Sequence, residues 1–468
     1  MMSNNNYDLV VVGGGPGGSA AAKEAADNGL KVVMLERGNF CGEKNSSGFG
    51  LSPKAYRDFD YIHDLDVPSK WPTKFGVMHI VKPMPQNGDR MIWGFTPPKR
   101  NSYPQASEFM IQMMYRPEFD QWMADKAVAA GADLKLKTLA ADVIRDGTNV
   151  VGVVDGDGNE YRAPVVIAAD GAHSLMAQKA GLRKKWRKDD VTVLATIDFK
   201  ADPDRIAEYC GDTNVHIFMG PDRGGYVCIF RDGFHIGSRP AKTLQSEIEA
   251  GKNLSAKSAR DNLKLDFVQR LIKATRAEPQ EWQLHFLPWL KSFPERIYTG
   301  GLMLGGDAAG VPEPFMAEGV WQAMYSSRLA AQVAVRAHND KDFSKKYLEQ
   351  YMVELKTSPV GVDFTSGAVL RDFFSQWTSQ TFYDLFDNLA DAMFYGMLTM
   401  AEPHAEGMLR VPGILVEMIP QLMFLARYYF PIAEEASRDK IKNFIEGIKK
   451  MAPMLAPMMK GGMTGGQS

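Results

Sequence analysis

Three glycine-bearing turns in this chain each stand with a carboxylate. Gly13, Gly15 and Gly18 have GxGxxG spacing with Pro16 among them, and Glu36 follows. Asp170-Gly171 and Gly306-Asp307-Ala-Ala-Gly310 repeat the pairing of glycine with acid. A fourth run, "FCGEKNSSGFG" (residues 40–50), adds the thiol of Cys41, the amine of Lys44 and the amide of Asn45. Glycines allow tight turns and close backbone approach. Free N–H groups at a helix start attract phosphate, and an acid at a strand end can accept hydrogen bonds from both hydroxyls of a ribose. This chemistry is that of a dinucleotide site. A metal loop does not fit, because no second thiolate or histidine stands at ligand spacing from Cys41.

The elements around these residues must hold them. Residues 7–12 are a β-branched run and predict a buried strand. An Ala-rich stretch to Asn28 predicts a helix that Gly29 stops, and residues 31–35 predict the next strand, ending at Glu36. The three glycines then have separate tasks: Gly13 the tight turn, Gly15 the approach to a pyrophosphate, Gly18 the close helix–strand packing. Residues 115–134 predict a helix with Phe119, Trp122, Met123 and Ala127 on one face. Residues 165–182 read as strand, Asp170-Gly171, helix. Residues 301–335 read as strand, Gly306-Asp307, then an Ala-rich helix from about Glu318. Between Trp186 and Trp289 the alternation predicts an antiparallel sheet, joined by strands within residues 78–95. "VVDGDGNEYRAPVV" is a hairpin turn, and no second GxGxxG is followed by a helix and an acid, so a dedicated NAD domain is not expected.

Composition sets the outer bounds. A chain of 468 residues exceeds one ordinary core and implies two or three packed units. A hydrophobic share of 45% with 24% charged residues fits a folded soluble protein, and a net charge of -2 argues against nucleic acid as a partner. Cys41, Cys210 and Cys228 are far apart, which predicts a reducing compartment and excludes a four-cysteine iron–sulfur cluster held by this chain alone. No apolar run approaches the ~20 residues of a membrane span. From about Lys345 the chain reads as helical. Met418, Leu422, Leu425 and Tyr429 form one stripe, while prolines, Glu417 and Arg427 argue against a span. Ile441, Ile445 and Ile448 share a face with Lys440, Lys442, Lys449 and Lys450 elsewhere, a pattern that fits a membrane-surface helix or an ordinary surface helix.

In combination, GxGxxG, the R-x-x-FD helix start at Arg116, the ADG strand end and the GDAAG loop resemble the FAD-dependent dehydrogenases that include geranylgeranyl reductases and FixC-type electron-transfer-flavoprotein:quinone oxidoreductases. The resemblance runs to about Gln350. It implies an α/β fold of the p-hydroxybenzoate-hydroxylase-like type. A Rossmann-like FAD-binding domain would span 1–65, 105–185 and 295–350, an antiparallel β-sheet substrate domain 66–104 and 186–294, and a helical C-terminal region with a mobile tail 351–468. The cofactor-binding residues implied are Gly13, Gly15, Pro16, Gly18, Glu36, Arg37, Gly48, Arg116, Asp170, Gly306, Asp307, Gly310, Pro314, Gly319 and Val320. Arg116 would contact the phosphates or ribityl chain, and Asp307 the ribityl chain. "PEPFMAEGV" resembles P-x-x-G-E-G-[IV], with Ala317 in place of the first glycine. "GGYVCIFRDGFHIG" resembles G-Y-x-W-x-F-P, with Cys228 for Trp and Arg231 for Pro.

The implied catalytic residues are Cys41, Lys44, Asn45 and Tyr226; no metal is implied. Cys41 matches the isoprenoid-reductase pattern and Lys44-Asn45-x-Ser47-Gly48 the quinone-reductase one, with Cys41 either a functional thiol or a packing residue. The implied activity is that of an FAD-dependent oxidoreductase exchanging electrons between a soluble donor and a hydrophobic acceptor, a membrane quinone first. The alternatives are saturation of isoprenoid double bonds and a flavin relay subunit of a larger redox complex. A ferredoxin-like or electron-transfer-flavoprotein partner and a cytoplasmic location, with peripheral contact at the inner membrane left open, complete these expectations.

Overall fold

The computed structural model describes residues 6–43, 50–81, 87–95, 111–219, 224–238, 244–249, 251, 254–375 and 446. Lys44, Asn45 and Gly48, the stripe at 418–429, the basic helix (apart from Glu446) and the tail lie outside the described residues. In chain order, strand β1 (Leu9–Val12), helix α1 (Pro16–Asp27) and strand β2 (Val32–Leu35) form the first unit. Strand β3 (Gly50–Leu51) and helix α2 (Pro53–Asp58) come next, then strands β4 (Trp71–Thr73), β5 (Phe75–Val81), β6 (Asp89–Phe95) and β7 (Ile111–Met113). Helix α3 (Arg116–Ala129) leads to strands β8 (Asp133–Lys135), β9 (Ala140–Asp146), β10 (Asn149–Asp155), β11 (Glu160–Arg162) and β12 (Val165–Ala168), and to helix α4 (Leu175–Lys179). Strand β13 (Val191–Lys200), helix α5 (Pro203–Cys210) and strands β14 (Thr213–Met219), β15 (Gly224–Phe230) and β16 (Gly233–Ser238) follow. Then come helices α6 (Leu244–Glu249), α7 (Leu254–Leu263) and α8 (Asp266–Thr275) and strands β17 (Glu278–Pro288), β18 (Tyr298–Thr299) and β19 (Leu302–Leu304). Helices α9 (Gly306–Ala309), α10 (Val320–Asp340), α11 (Lys345–Thr357) and α12 (Pro359–Ser375) end the described chain.

A six-stranded sheet has the order β18-β19-β12-β1-β2-β8, parallel except where β18 meets β19. Residues of β1 and β2 are at most 5% exposed, so both faces are covered, which is why these strands read as unbroken apolar runs. Helix α1 begins on Pro16 and ends before Gly29, which holds a left-handed φ of +84°. The DGDG segment closes the β10–β11 hairpin as expected.

The second large sheet has the order β17-β13-β16-β15-β14-β5-β6. It departs from the expected antiparallel pattern at one place: β14 pairs with β5 in parallel. These strands come from distant parts of the chain, so no hairpin dictates their direction, and alternation within a strand carries no information about it. The segment also holds helices α5–α8, which the alternation did not announce. One face of this sheet packs Ile197, Phe199, Val227, Ile229, Phe234 and Ile236 against Leu265, Val268 and Leu271 near and within α8. The opposite, inner face packs Val215, Cys228 and Phe230 against Met113 and Tyr115.

Helix α11 ties the end of the six-stranded sheet in place. Tyr351 is fully buried, and its hydroxyl donates to Leu304 O at 2.6 Å, immediately before Gly305 and Gly306. Phenylalanine there would leave a buried carbonyl without this donor. Tyr351→Phe is expected to lower stability by about 1–2 kcal/mol, read as a lower midpoint in thermal unfolding.

Candidate functional site

The turn after β1 sits where the chain leaves β1 towards β2 on one side and returns as β12 on the other. Such a switch point opens a crevice at the carboxyl ends of the strands. Gly13 has φ +103°, and a β-carbon on it would overlap Ala169 O. A β-carbon on Gly18 would overlap Gly13 O, so glycine is required there for space alone. Helix α1 starts from Gly15 and Pro16 with no side-chain cap and no acid in its first turn, which leaves its N–H groups and positive dipole end uncompensated. Across the turn, Glu36 Oε2 accepts from Gly14 N at 2.8 Å and Oε1 from Gly38 N at 2.6 Å. Two backbone donors therefore fix the carboxylate, and each oxygen keeps a lone pair for a further donor. Arg37, next along, is exposed.

Cys41 is fully buried over this turn: a β-carbon on Gly14 would overlap its Sγ. Burial first, and then Glu36, Asp120 and Asp125, push the thiol up to about 12. It is held as a neutral thiol and not as an exposed thiolate. Gly42, at φ +97°, lies against Pro117 and Asp120 at the start of α3. There Arg116 Nε and Nη2 each donate at 2.9 Å to the two oxygens of Asp120, which is wholly buried. This bidentate pair on successive helical turns fixes the guanidinium.

Asp170 and Asp307 complete the ring of acids. Burial raises Asp170 above the usual carboxylate range, opposed by hydrogen bonds from Ser174 and Met176 N. Its Oδ1 is buried with no partner. Burial also pushes Asp307 up to about 6, with Arg116 pulling it down. Arg183, which the sequence reading did not single out, donates to Ala308 O at 3.0 Å and lies over the Trp186 ring. A cation beside "ADG" and "GDAA" was in view only as one of several basic residues in "LRKKWRK".

The loop from Gly310 to Val320 folds back tightly. Gly310 has φ +82° and sits against Trp186 and Leu290. Pro314 O accepts from Trp289 Nε1. Glu313 accepts from Phe315 N at 2.8 Å and Met316 N at 2.5 Å, and burial, opposed by these bonds, pushes it up to about 7. Ala317 has φ +60°, which gives a conformational reason for the glycine of the related pattern. Gly319 caps α10 and Val320 begins it; as in α1, the first turn has no side-chain cap and no acid.

On the inner face of the second sheet, Tyr226 is half-buried and lies over Gly237, where a β-carbon would overlap the ring. Beside it stand Asp198, His235 and His285, which the sequence reading passed over. The available signal was an acid in "VTVLATIDFK" and a histidine in "GFHIGS", both at inward positions of otherwise apolar strands. Arg116 connects the two regions, since its charge acts on both Asp307 and His285.

Two consequences concern stability. Ala317→Gly should relieve the left-handed strain and stabilise the protein by about 1 kcal/mol, read as a higher unfolding midpoint. Because the folded pKa of Asp307 lies above its unfolded value, the carboxyl contributes most favourably when protonated. Its contribution falls as pH rises from about 4 to about 6 and is flat above. In flavin-free protein, Asp307→Asn is therefore expected to raise stability by about 1–2 kcal/mol at pH 8 and to change little near pH 4, measured by denaturant unfolding at the two pH values.

The family profile described as "FAD binding domain" matches residues 6–334. Digeranylgeranylglycerophospholipid reductase of Methanocaldococcus jannaschii is 29% identical over 343 residues, covering 70% of this chain and 76% of that protein. Protein FixC of Escherichia coli is 27% identical over 351 residues, covering 72% and 78%. The solved structure of a geranylgeranyl bacteriochlorophyll reductase-like protein from Thermoplasma acidophilum shares the fold, with a TM-score of 0.67 at 24% identity over 89% of this chain and 99% of that one. The uncapped helix start, the glycine cradle, the two-donor Glu36 and the unpartnered Asp170 oxygen suit a bound dinucleotide. The chain belongs to the FAD binding domain family and is an FAD-dependent oxidoreductase related to geranylgeranyl reductases and to FixC.

Proposed function

We propose that this oxidoreductase carries electrons between a soluble donor and a hydrophobic acceptor with a prenyl chain, and that the acceptor is a membrane quinone. The observation that carries the reading is the inner face of the seven-stranded sheet. Val215, Cys228 and Phe230 of that face, with Met113 and Tyr115 packed on them, form a buried apolar cluster, and Ile111, Ile217 and Tyr226 are partly open beside it. The charge of Arg116 acts both on His285 of the same sheet and on Asp307. FAD, when bound, supplies the redox chemistry. The chain's own residues bind and orient it. Gly13, Gly15, Pro16 and Gly18 receive the pyrophosphate at the start of α1. Glu36 accepts from the ribose, with Arg37 beside it. Asp307, Gly306, Arg116 and Asp170 serve the ribityl and phosphate region, and Gly310, Pro314, Gly319 and Val320 flank the ring. Gly48, Lys44 and Asn45 belong to the same proposal through their motif.

The quinone reading is supported by the resemblance of Lys44-Asn45-x-Ser47-Gly48 to the FixC-type pattern and by the match to FixC. The second reading, saturation of isoprenoid double bonds, is supported by Cys41-Gly42-Glu43, the Tyr226 strand and the relatives named digeranylgeranylglycerophospholipid reductase. In either case electrons arrive from a ferredoxin-like or electron-transfer-flavoprotein partner. Among the described residues no group of side chains is arranged to hold a metal, and no helix is long and apolar enough to cross a membrane. The proposal places acceptor exchange at the membrane surface because the acceptor it names is a membrane quinone.

The test uses flavin-loaded protein reduced by light under anaerobic conditions. Rapid reoxidation by a short-chain quinone analogue is the expected result. Reoxidation only by a geranylgeranyl lipid would transfer the assignment to the second reading, and a requirement for a partner protein with both would make the chain a relay subunit. As a control on the cofactor assignment, Glu36→Ala is expected to weaken FAD retention about 10- to 100-fold, read from flavin absorbance after dialysis.

A further inference from the structure

The inner face of the seven-stranded sheet holds ionisable groups among its apolar residues. Asp198 on β13 and His235 on β16 are direct cross-strand partners, and Asp198 Oδ1 lies 2.5 Å from His235 Nδ1. His235 is 1% exposed, and the ring of Tyr226 stacks on it with centroids 5.9 Å apart and planes 15° from parallel. His235 Nε2 is buried and has no hydrogen-bond partner. A nitrogen so placed is costly unless something else meets it. The carboxylate of Asp198 is 23% exposed and keeps a route to water.

Other groups facing this pair are poorly suited to give up a proton. Cys228, opposite His235 in the sheet, is pushed up to about 12 by burial. Tyr115 is raised by burial and by Asp198, Asp232 and Glu118, and its hydroxyl donates to Phe199 O. His285, whose Nε2 is also buried without a partner, is pushed down to about 4, by burial first and then by Arg116 and His235, with Asp198 opposing. Arg116 is committed to its bidentate bond with Asp120, and Tyr226 is the stacking partner. His235 is the one member with a carboxylate on one nitrogen and the other nitrogen bare. In that geometry Asp198 accepts the Nδ1 proton and fixes the tautomer, which leaves Nε2 to meet a bound acceptor.

We propose that His235 is the proton donor to the bound acceptor and that Asp198 is its positioning residue. This rests on the reading above, that the acceptor lies against the inner face. Reduction of a quinone to a quinol, or of a carbon–carbon double bond to a single bond, adds two electrons and two protons. FAD, when bound, would supply the electron pair and one of the protons, drawn from the soluble donor. The other leaves His235 Nε2: that N–H bond breaks and an O–H or C–H bond forms on the acceptor. The imidazole left behind is neutral and still protonated on Nδ1 against Asp198, and Nε2 takes its replacement proton from water once the product has left.

The experiment compares wild type, His235→Gln and Asp198→Asn as flavin-loaded proteins of equal flavin content and equal circular dichroism. Light-driven reduction is expected to be unchanged in all three. Reoxidation by the short-chain quinone analogue should slow about 100-fold or more in His235→Gln, and the fall of the wild-type rate with rising pH should disappear. Nitrogen-15 NMR of the oxidised, flavin-loaded protein provides a readout apart from turnover. His235 should carry its proton on Nδ1 when neutral, with that single tautomer lost in Asp198→Asn. A wild-type rate and pH profile in His235→Gln would overturn the proposal. So would a neutral ring whose proton sits on Nε2 and not on Nδ1. If the wild type is oxidised by neither the quinone analogue nor a geranylgeranyl lipid, the acceptor reading fails, and the tautomer seen by NMR alone then decides whether Asp198 positions His235.

Discussion

The site depends on backbones meeting where no β-carbon fits. Gly13 meets Ala169 O, Gly18 meets Gly13 O, and Gly17, Gly305 and Gly306 meet Ala323 and Ser327 of α10. Ala323, Ser326 and Ser327 are small because these turns lean on them, and Ser326 also accepts from Gly306 N at 3.0 Å. This packing draws α1 and α10 to the same edge of the six-stranded sheet. Both helices start without a capping side chain or an acid, so two uncompensated positive ends share one crevice. An anionic dinucleotide is the chemistry that such a pair of helix starts accommodates.

The acids around that crevice are held in different ways, and the differences are physical. Glu36 has two backbone donors. Asp307 has burial against it and only the charge of Arg116 in its favour. Glu318 is bound by Lys54 at 2.7 Å, and the same lysine reaches Asp363 of α12 at 3.1 Å. Lys54 is raised in spite of burial because these two carboxylates outweigh desolvation. The turn that begins α10 is thus clamped from α2 on one side and α12 on the other. That clamp holds Ala317 in a left-handed conformation it would not adopt unaided.

The dinucleotide half was legible because its signals are local. A β-branched run, three spaced glycines, an Ala-rich helix and a terminal acid stand in order over residues 7–36, and each has a conformational reason that needs no distant partner. The substrate sheet was legible only as a sheet. Its parallel β14–β5 pair joins segments whose sequence separation hides their direction. Strand β16 is buried on both faces and β13 nearly so, so polarity there does not tell inner from outer. Asp198 and His235 read as interruptions in apolar strands until register brought them opposite each other. Arg116 illustrates the boundary: its motif marked it as a ligand, but only the fold gives it Asp120 as an anchor and places His285 within reach of its charge.

Arg116 also explains why the two halves have to be read together. It opens the helix that follows Tyr115, and Tyr115 is pinned to the second sheet by its hydroxyl on Phe199 O and by its ring against Phe230. A fixed cation between a carboxyl raised by burial and a histidine lowered by burial favours the anion on one side and the neutral ring on the other. His285 is thereby kept uncharged beside His235, so the proton of this face has one imidazole to occupy and one carboxylate, Asp198, to hold it there.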